Sequence, residues 1–192
     1  AFVGLKGIQY VGRVATYVPL IPLAILLILF AKTAGGLGSF DKTQLIETHQ
    51  SVTAAAPVAI TAFGVLAFML TYVVGFFATA GAAGVDFGMN NRDEKDVKMG
   101  GLVGVALATV LTAGFWILIV AGAYGSEEIR ARAVEIGAAG EPASLPLMPP
   151  VLVTAIIGSK ATAIIMFLLA LAAFPPACFS SFIAANSFKT TL

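Results

Sequence analysis

Four long apolar stretches alternate with short polar ones along the chain. The first runs from about 14 to 31, the second from about 52 to 85, the third from about 101 to 124 and the last from about 161 to 188. A span needs about 20 apolar residues to cross roughly 30 Å of hydrocarbon, so each is long enough or nearly so. None shows the strict alternation of a strand, and only helices and closed barrels satisfy their backbone in lipid. The predicted fold class is therefore all-α, a polytopic transmembrane helical bundle.

The polar stretches are "KTAGGLGSFDKTQLIETHQ", "DFGMNNRDEKDVK" and a longer connection over 126–158. In the last, "SEEIRARAVEIG" begins with acidic residues, where a helix dipole favours them, and Ile129, Ala133 and Ile136 recur at helical spacing. After the Gly/Pro-rich "GAAGEPASLPLMPP" comes "VLVTAIIG", too short to span. Two readings fit: a hairpin of two short helices forming a lid on the outer face, or an amphipathic loop lying on the surface.

Lys and Arg in the flanks set the orientation. Lys6, Arg13, Arg92, Lys95, Lys98 and Lys189 fall on one side, and Lys32, Lys42, Arg130 and Arg132 on the other, with Lys160 near the boundary. The excess places the amino end and the loop around 86–98 in the cytoplasm and the 126–158 hairpin outside. Lys160 reads as a snorkelling end residue, Trp116 and Tyr124 as packing or anchoring at the outer interface, and His49 as an inert loop residue.

Composition agrees. Hydrophobic residues make up 59% of the 192 and charged ones 11%, against about a quarter in a soluble domain, so the expected partner is the lipid bilayer. A net charge of +1 gives no basic face for nucleic acid. With the single cysteine Cys178 and the single histidine His49, neither an internal disulfide nor a Cys/His metal cluster is expected, and no cofactor is predicted. Nor does any span carry the His/Asp/Glu grouping of an enzyme. The start at Ala1 has no charged segment leading into a short apolar core, so no signal peptide is expected, and both ends read as cuts from a longer protein.

Two spans are weakened. The second contains Gly75 directly before Phe76 and Phe77, then Gly81 and Gly84. A break at Gly75 would put free backbone groups beside an aromatic platform; alternatively the small residues form a tight helix–helix seam. In the last span Pro175 and Pro176 remove two backbone donors, which predicts a kink or unwinding, and Ser180, Ser181 and Asn186 follow. Broken helices that free backbone groups near the midplane are a signature of secondary transporters.

The stretch "VVGFFATAGAAGVDFG" resembles the sixth transmembrane helix of the nucleobase:cation symporter-1 family, the cytosine, uracil, allantoin and hydantoin permeases. Gly75, Phe77, Ala78, Thr79, Asp86 and Phe87 match in register, while Gly88 and Met89 replace the family's Ser-Arg. "GIQYVGRVATYVPLIPLAILLI" is similar to the family's fifth helix and "LALAAFPPACFSSFIAANS" to its eighth, with the 126–158 hairpin between the seventh and eighth.

The resemblance implies a leucine-transporter-type arrangement of two five-helix inverted repeats with discontinuous helices, of which this chain supplies helices five to eight. The missing transmembrane helices of the same full-length chain would complete the substrate site. It implies a multi-pass protein of the plasma (inner) membrane that takes a small nitrogenous solute together with a cation. Gly75, Phe76, Phe77, Thr79 and Ser181 become substrate-binding candidates: Phe77 takes the place of the aromatic that stacks on a planar base, and Ser181 that of a substrate-contacting Asn. Asp86 and Arg92 become gating candidates, with a solvated helix end as the plain alternative for Asp86. Where sodium-coupled members carry two hydroxyl residues this chain has Pro175 and Pro176, followed by Ala177 in place of Asn, which leaves the coupling cation, Na⁺ or H⁺, open. It also leaves room for a second class of function, a membrane receptor or sensor that kept the fold and does not transport.

Overall fold

The computed structural model describes residues 14, 16–44, 46–47, 61–77, 91–139, 148–175 and 177, and all regular structure among them is helical. Helix α1, Leu20–Thr33, follows a turn at Val18 and Pro19. Pro22 sits in its first turn, where a backbone donor has no partner to lose. The chain then tightens into a 3₁₀ segment, Ala34–Ser39, and leaves it extended at Phe40. The "AGGLGS" read from the sequence as part of a polar connection is thus helical, and α1 with its extension covers Leu20–Ser39, 20 residues, long and apolar enough to cross a membrane.

Helix α2, Ala62–Phe77, opens where the Gly64 N–H donates to the Thr61 hydroxyl at 3.1 Å, an N-terminal cap. It runs unbroken through Gly75. Phe63, Leu66, Met69, Leu70 and Val74 are exposed along it.

Helix α3, Glu94–Gly125, is the second helix long and apolar enough to cross a membrane. Its start is defined by Asp93, whose carboxylate accepts the Asp96 N–H at 2.8 Å, and by Glu94 and Asp96 in the first turn, where the helix dipole favours negative charge. At 32 residues it is roughly 48 Å long, more than a hydrocarbon layer of about 30 Å needs. Gly100–Leu107 is wound as a π-helix, with the Ala108 N–H reaching back to the Val103 carbonyl, before α-geometry resumes over Ala108–Gly125.

A single extended residue, Ser126, separates α3 from α4, Glu127–Ala139. Helix α5, Pro149–Ile157, begins with two prolines at positions that need no donor, and Gly158 divides it from α6, Ser159–Ala172. Gly158 has φ 84° and ψ 160°, a region open essentially to glycine alone, and this is what lets two helices meet at a corner without a linker.

Contacts fix the relative direction of α1 and α3. Phe30 meets Phe115 edge-on with ring centroids 5.4 Å apart, Thr33 lies against Gly122, and Gly125 lies against Gly36 and Phe40. Residue numbers rise together on both sides, so the two helices run parallel. Glu94, where α3 starts, therefore lies toward the end where α1 began.

Helix α5 is wedged where these two helices converge. Val153 joins Ile25, Leu29 and Ile119, while Leu152, about 100° further round the helix, joins Ala123 and Tyr124. Helix α6 lays Ile165, Met166, Leu168 and Leu169 against the first of these clusters. The described core is thus concentrated at one end of the bundle, around the carboxyl halves of α1 and α3.

Candidate functional site

Gly75, Phe76 and Phe77 lie on the last described turn of α2. The helix is continuous up to Phe77, so the Gly75, Phe76 and Phe77 N–H groups are engaged in helical geometry, whereas the residues whose N–H groups would meet their carbonyls lie outside the described residues. Thr79, Asp86, Pro176 and Ser181 lie outside the described residues, as do Gly81, Gly84, Ser180, Asn186, His49 and Cys178.

Arg92 stands in the exposed turn before α3, and its guanidinium meets the Asp96 carboxylate at 3.5 Å. Lys98 pairs in the same way with Glu94 at 2.7 Å. Both pairs join residues four apart at a helix start and both are well solvated, so each adds a few tenths of a kcal/mol at most to the helix. The carboxylate partner of Arg92 among the described residues is Asp96.

Pro175 is buried just beyond the end of α6. Regular α-helix stops at Ala172, Ala173 takes φ −76° and ψ −7°, and the Ala177 N–H still donates to the Ala173 carbonyl at 3.3 Å. The interruption therefore begins two residues before Pro175. Proline clashes with the preceding turn, so the disturbance falls upstream of the ring.

Among the described residues the tightest packing lies elsewhere, in a seam of Thr33, Gly36, Gly122 and Gly125. A Cβ added at Gly36 would come 2.9 Å from the Ser126 amide nitrogen, one at Gly125 would come 3.0 Å from the Phe40 nitrogen, and one at Gly122 would come 2.8 Å from the Thr33 carbonyl carbon. These are backbone atoms, which cannot swing aside. The absence of side chains is what lets the two backbones touch, the device that membrane helices use where lipid is as apolar as leucine. Thr33 is buried in the seam, and its hydroxyl is satisfied by donating to its own helix, with the Leu29 and Phe30 carbonyls at 3.1 and 3.3 Å.

The seam ends at a cation. Arg130, one turn into α4, donates from Nη1 to the Tyr124 carbonyl at 2.9 Å and to the Gln44 side-chain oxygen. Tyr124 belongs to the last turn of α3, whose carbonyls lack intrahelical donors, and a positive charge at a helix carboxyl end is favoured. In the chain between Phe40 and Gln44, Asp41 accepts the Thr43 N–H at 3.0 Å, and its bonds with Thr43 hold its carboxyl below the usual value.

Sequence reasoning placed a possible small-residue seam at Gly75, Gly81 and Gly84 and missed this one. The signal was present: Gly122 and Gly125 are three apart, and Thr33 and Gly36 repeat the spacing. It was hidden because Gly36 stood in a stretch read as a loop. Arg130 had entered only as a charge that helps set orientation.

No family model, curated protein or solved structure matches the chain. Among the described residues, no three His, Cys, Asp or Glu side chains gather closely enough to hold a metal ion. What this region offers chemically is two apolar helices joined backbone to backbone, a short hairpin seated on their common end, and one arginine joining them.

Proposed function

We propose that the chain is part of a secondary active transporter that carries a small nitrogenous solute, such as a nucleobase or hydantoin, together with Na⁺ or H⁺ by alternating access. It is a multi-pass protein of the plasma membrane in this reading, does no covalent chemistry, and relies on further transmembrane helices to complete its substrate site. The observation that carries the proposal is the parallel pair α1 and α3 with a helical hairpin on their shared end. The helix order implied by the resemblance to the nucleobase:cation symporter-1 family asks for that arrangement: two spans crossing in the same sense, one returning between them, and the hairpin after the second. Two helices are long and apolar enough to cross a membrane, which supports the same reading. Substrate contact is assigned to Gly75, Phe76, Phe77, Thr79 and Ser181, and gating to Asp86 and Arg92.

A second reading, a membrane receptor or sensor, is favoured by one specific observation. Helix α2 continues without a break through Gly75, at the position where transport by this scheme uses freed backbone groups.

Uptake decides between them. The complete polypeptide is reconstituted in liposomes and offered labelled nucleobases, hydantoins and amino acids, with Na⁺ and pH gradients imposed separately. Accumulation driven by one gradient and lost in Phe77→Ala supports the symporter and identifies its cation. Saturable binding with no gradient-driven accumulation supports the sensor, and absence of both across the panel overturns the two readings together.

A further inference from the structure

We propose that Arg130 is a strap that fixes how the α4–α5 hairpin sits on the bundle, and that releasing it lets the hairpin lift from α1 and α3 while its own two helices stay together. Three segments meet at this guanidinium. Its own helix, α4, is anchored through the Arg130 N–H, which donates to the Ser126 carbonyl at 3.0 Å. The end of α3 is reached through the Tyr124 carbonyl, and the chain after α1 through Gln44, 86 residues away in sequence.

The geometry makes this one side chain more than a cap. The α3–α4 junction is a single extended residue, Ser126, whose N–H stays on the Gly122 carbonyl at 3.2 Å while its own carbonyl accepts from Arg130, so the angle between α3 and α4 turns on the φ and ψ of that one residue. The Tyr124 carbonyl lies beside the cluster of Ala123, Tyr124 and Leu152, so the bond that holds α4 is made next to the residue on which α5 packs. Gln44 continues the line of contact that begins with Gly36 and Phe40 against the end of α3. Arg130 is partly buried, and both oxygens it binds belong to neutral groups, so the strap does not depend on the protonation of a partner. The other arginine of α4, Arg132, pairs instead with Glu128 on its own helix at 2.8 Å and ties nothing across the junction.

The test reads hairpin position directly and does not depend on transport. In the complete chain with Cys178→Ala, a single thiol is placed at Val153, which lies between α5 and the α1–α3 pair, or at Ala133, buried on α4. Labelling by a small water-soluble methanethiosulfonate is timed with Arg130 intact and with Arg130→Ala, Arg130→Lys, Gln44→Ala or Arg132→Ala. Losing a charge-assisted hydrogen bond at a part-buried site should speed labelling at 153 by about tenfold. Arg130→Lys, which keeps the charge but not the fork of donors, should fall between, and Gln44→Ala should also accelerate labelling at 153. Ala133→Cys should keep its rate throughout, and Arg132→Ala should change neither. An unchanged rate at 153 in Arg130→Ala overturns the strap. An equal rise at 153 and 133 also overturns it, because that result means general loosening rather than a lifted hairpin.

Discussion

At the scale of single residues, the glycines divide into two kinds. Gly122 and Gly125 meet backbone where a Cβ would go, whereas Gly100, Gly101, Gly104 and Gly114 on the same helix meet nothing within 4 Å. Gly122→Ala must push two backbones apart and should cost about 1–3 kcal/mol, read as a lower unfolding temperature in detergent. Gly104→Ala should leave that temperature unchanged or raise it, since alanine favours helix by up to about 1 kcal/mol. A second prediction concerns Asp41. Its folded pKa lies below the ordinary 3.8, so its bond to Thr43 is fully present above that value and is lost as pH falls through the lower folded one. The Thr43 amide signal should shift over that acidic range, and Asp41→Asn should abolish the transition.

Among the helices, hydropathy made α1, α3 and α6 legible, and the helical spacing of Ile129, Ala133 and Ile136 did the same for α4. What it could not supply was contact between distant segments. Gly36 and Gly122 become neighbours only after the chain has left and returned, and no local pattern encodes that. Of the two readings of Gly75, a break or a continuous helix with small residues in a seam, the described turn is continuous: one glycine costs a helix about 1 kcal/mol, which its neighbours absorb. Arg92 shows the reverse case, since its partner Asp96 is four residues away and the pairing could be read from the spacing alone. Of the candidates outside the described residues, Thr79, Asp86 and Ser181 rest on resemblance and Pro176 on the missing donor of proline, whereas Phe77 is placed on a helix.

The same scale carries two further expectations. Leu152 is fully buried on α5, so Leu152→Ala should destabilise by about 2–5 kcal/mol in a denaturant titration. Gly158→Ala adds no clash, because nothing lies within 4 Å of its Cβ, yet it forces alanine into a glycine-only conformation at the α5–α6 corner. A cost of about 1–3 kcal/mol is expected there from strain alone. A D-alanine introduced by chemical ligation at the same position should restore stability, and the comparison separates strain from crowding.

For the whole molecule, the distribution of exposed apolar side chains matters more than their number. The core gathers at one end of α1 and α3, while Phe63, Leu66, Leu102, Val110 and Phe167 face outward along α2, α3 and α6. Apolar surface on that scale is covered by lipid or by further helices. The complete chain should therefore remain in the membrane pellet after alkaline carbonate extraction.

The seam between α1 and α3 also imposes a timetable on biosynthesis. Gln44 and Arg130, which close its far end, are 86 residues apart. A ribosome adding about 5–20 residues per second needs roughly 4 to 17 seconds to cover that distance. Throughout that interval α1, long and apolar enough to cross a membrane, has its glycine face bare and its eventual mate unborn. A nascent chain arrested before Gly122 is an orphan that quality control should recognise and degrade faster than one arrested just beyond Arg130.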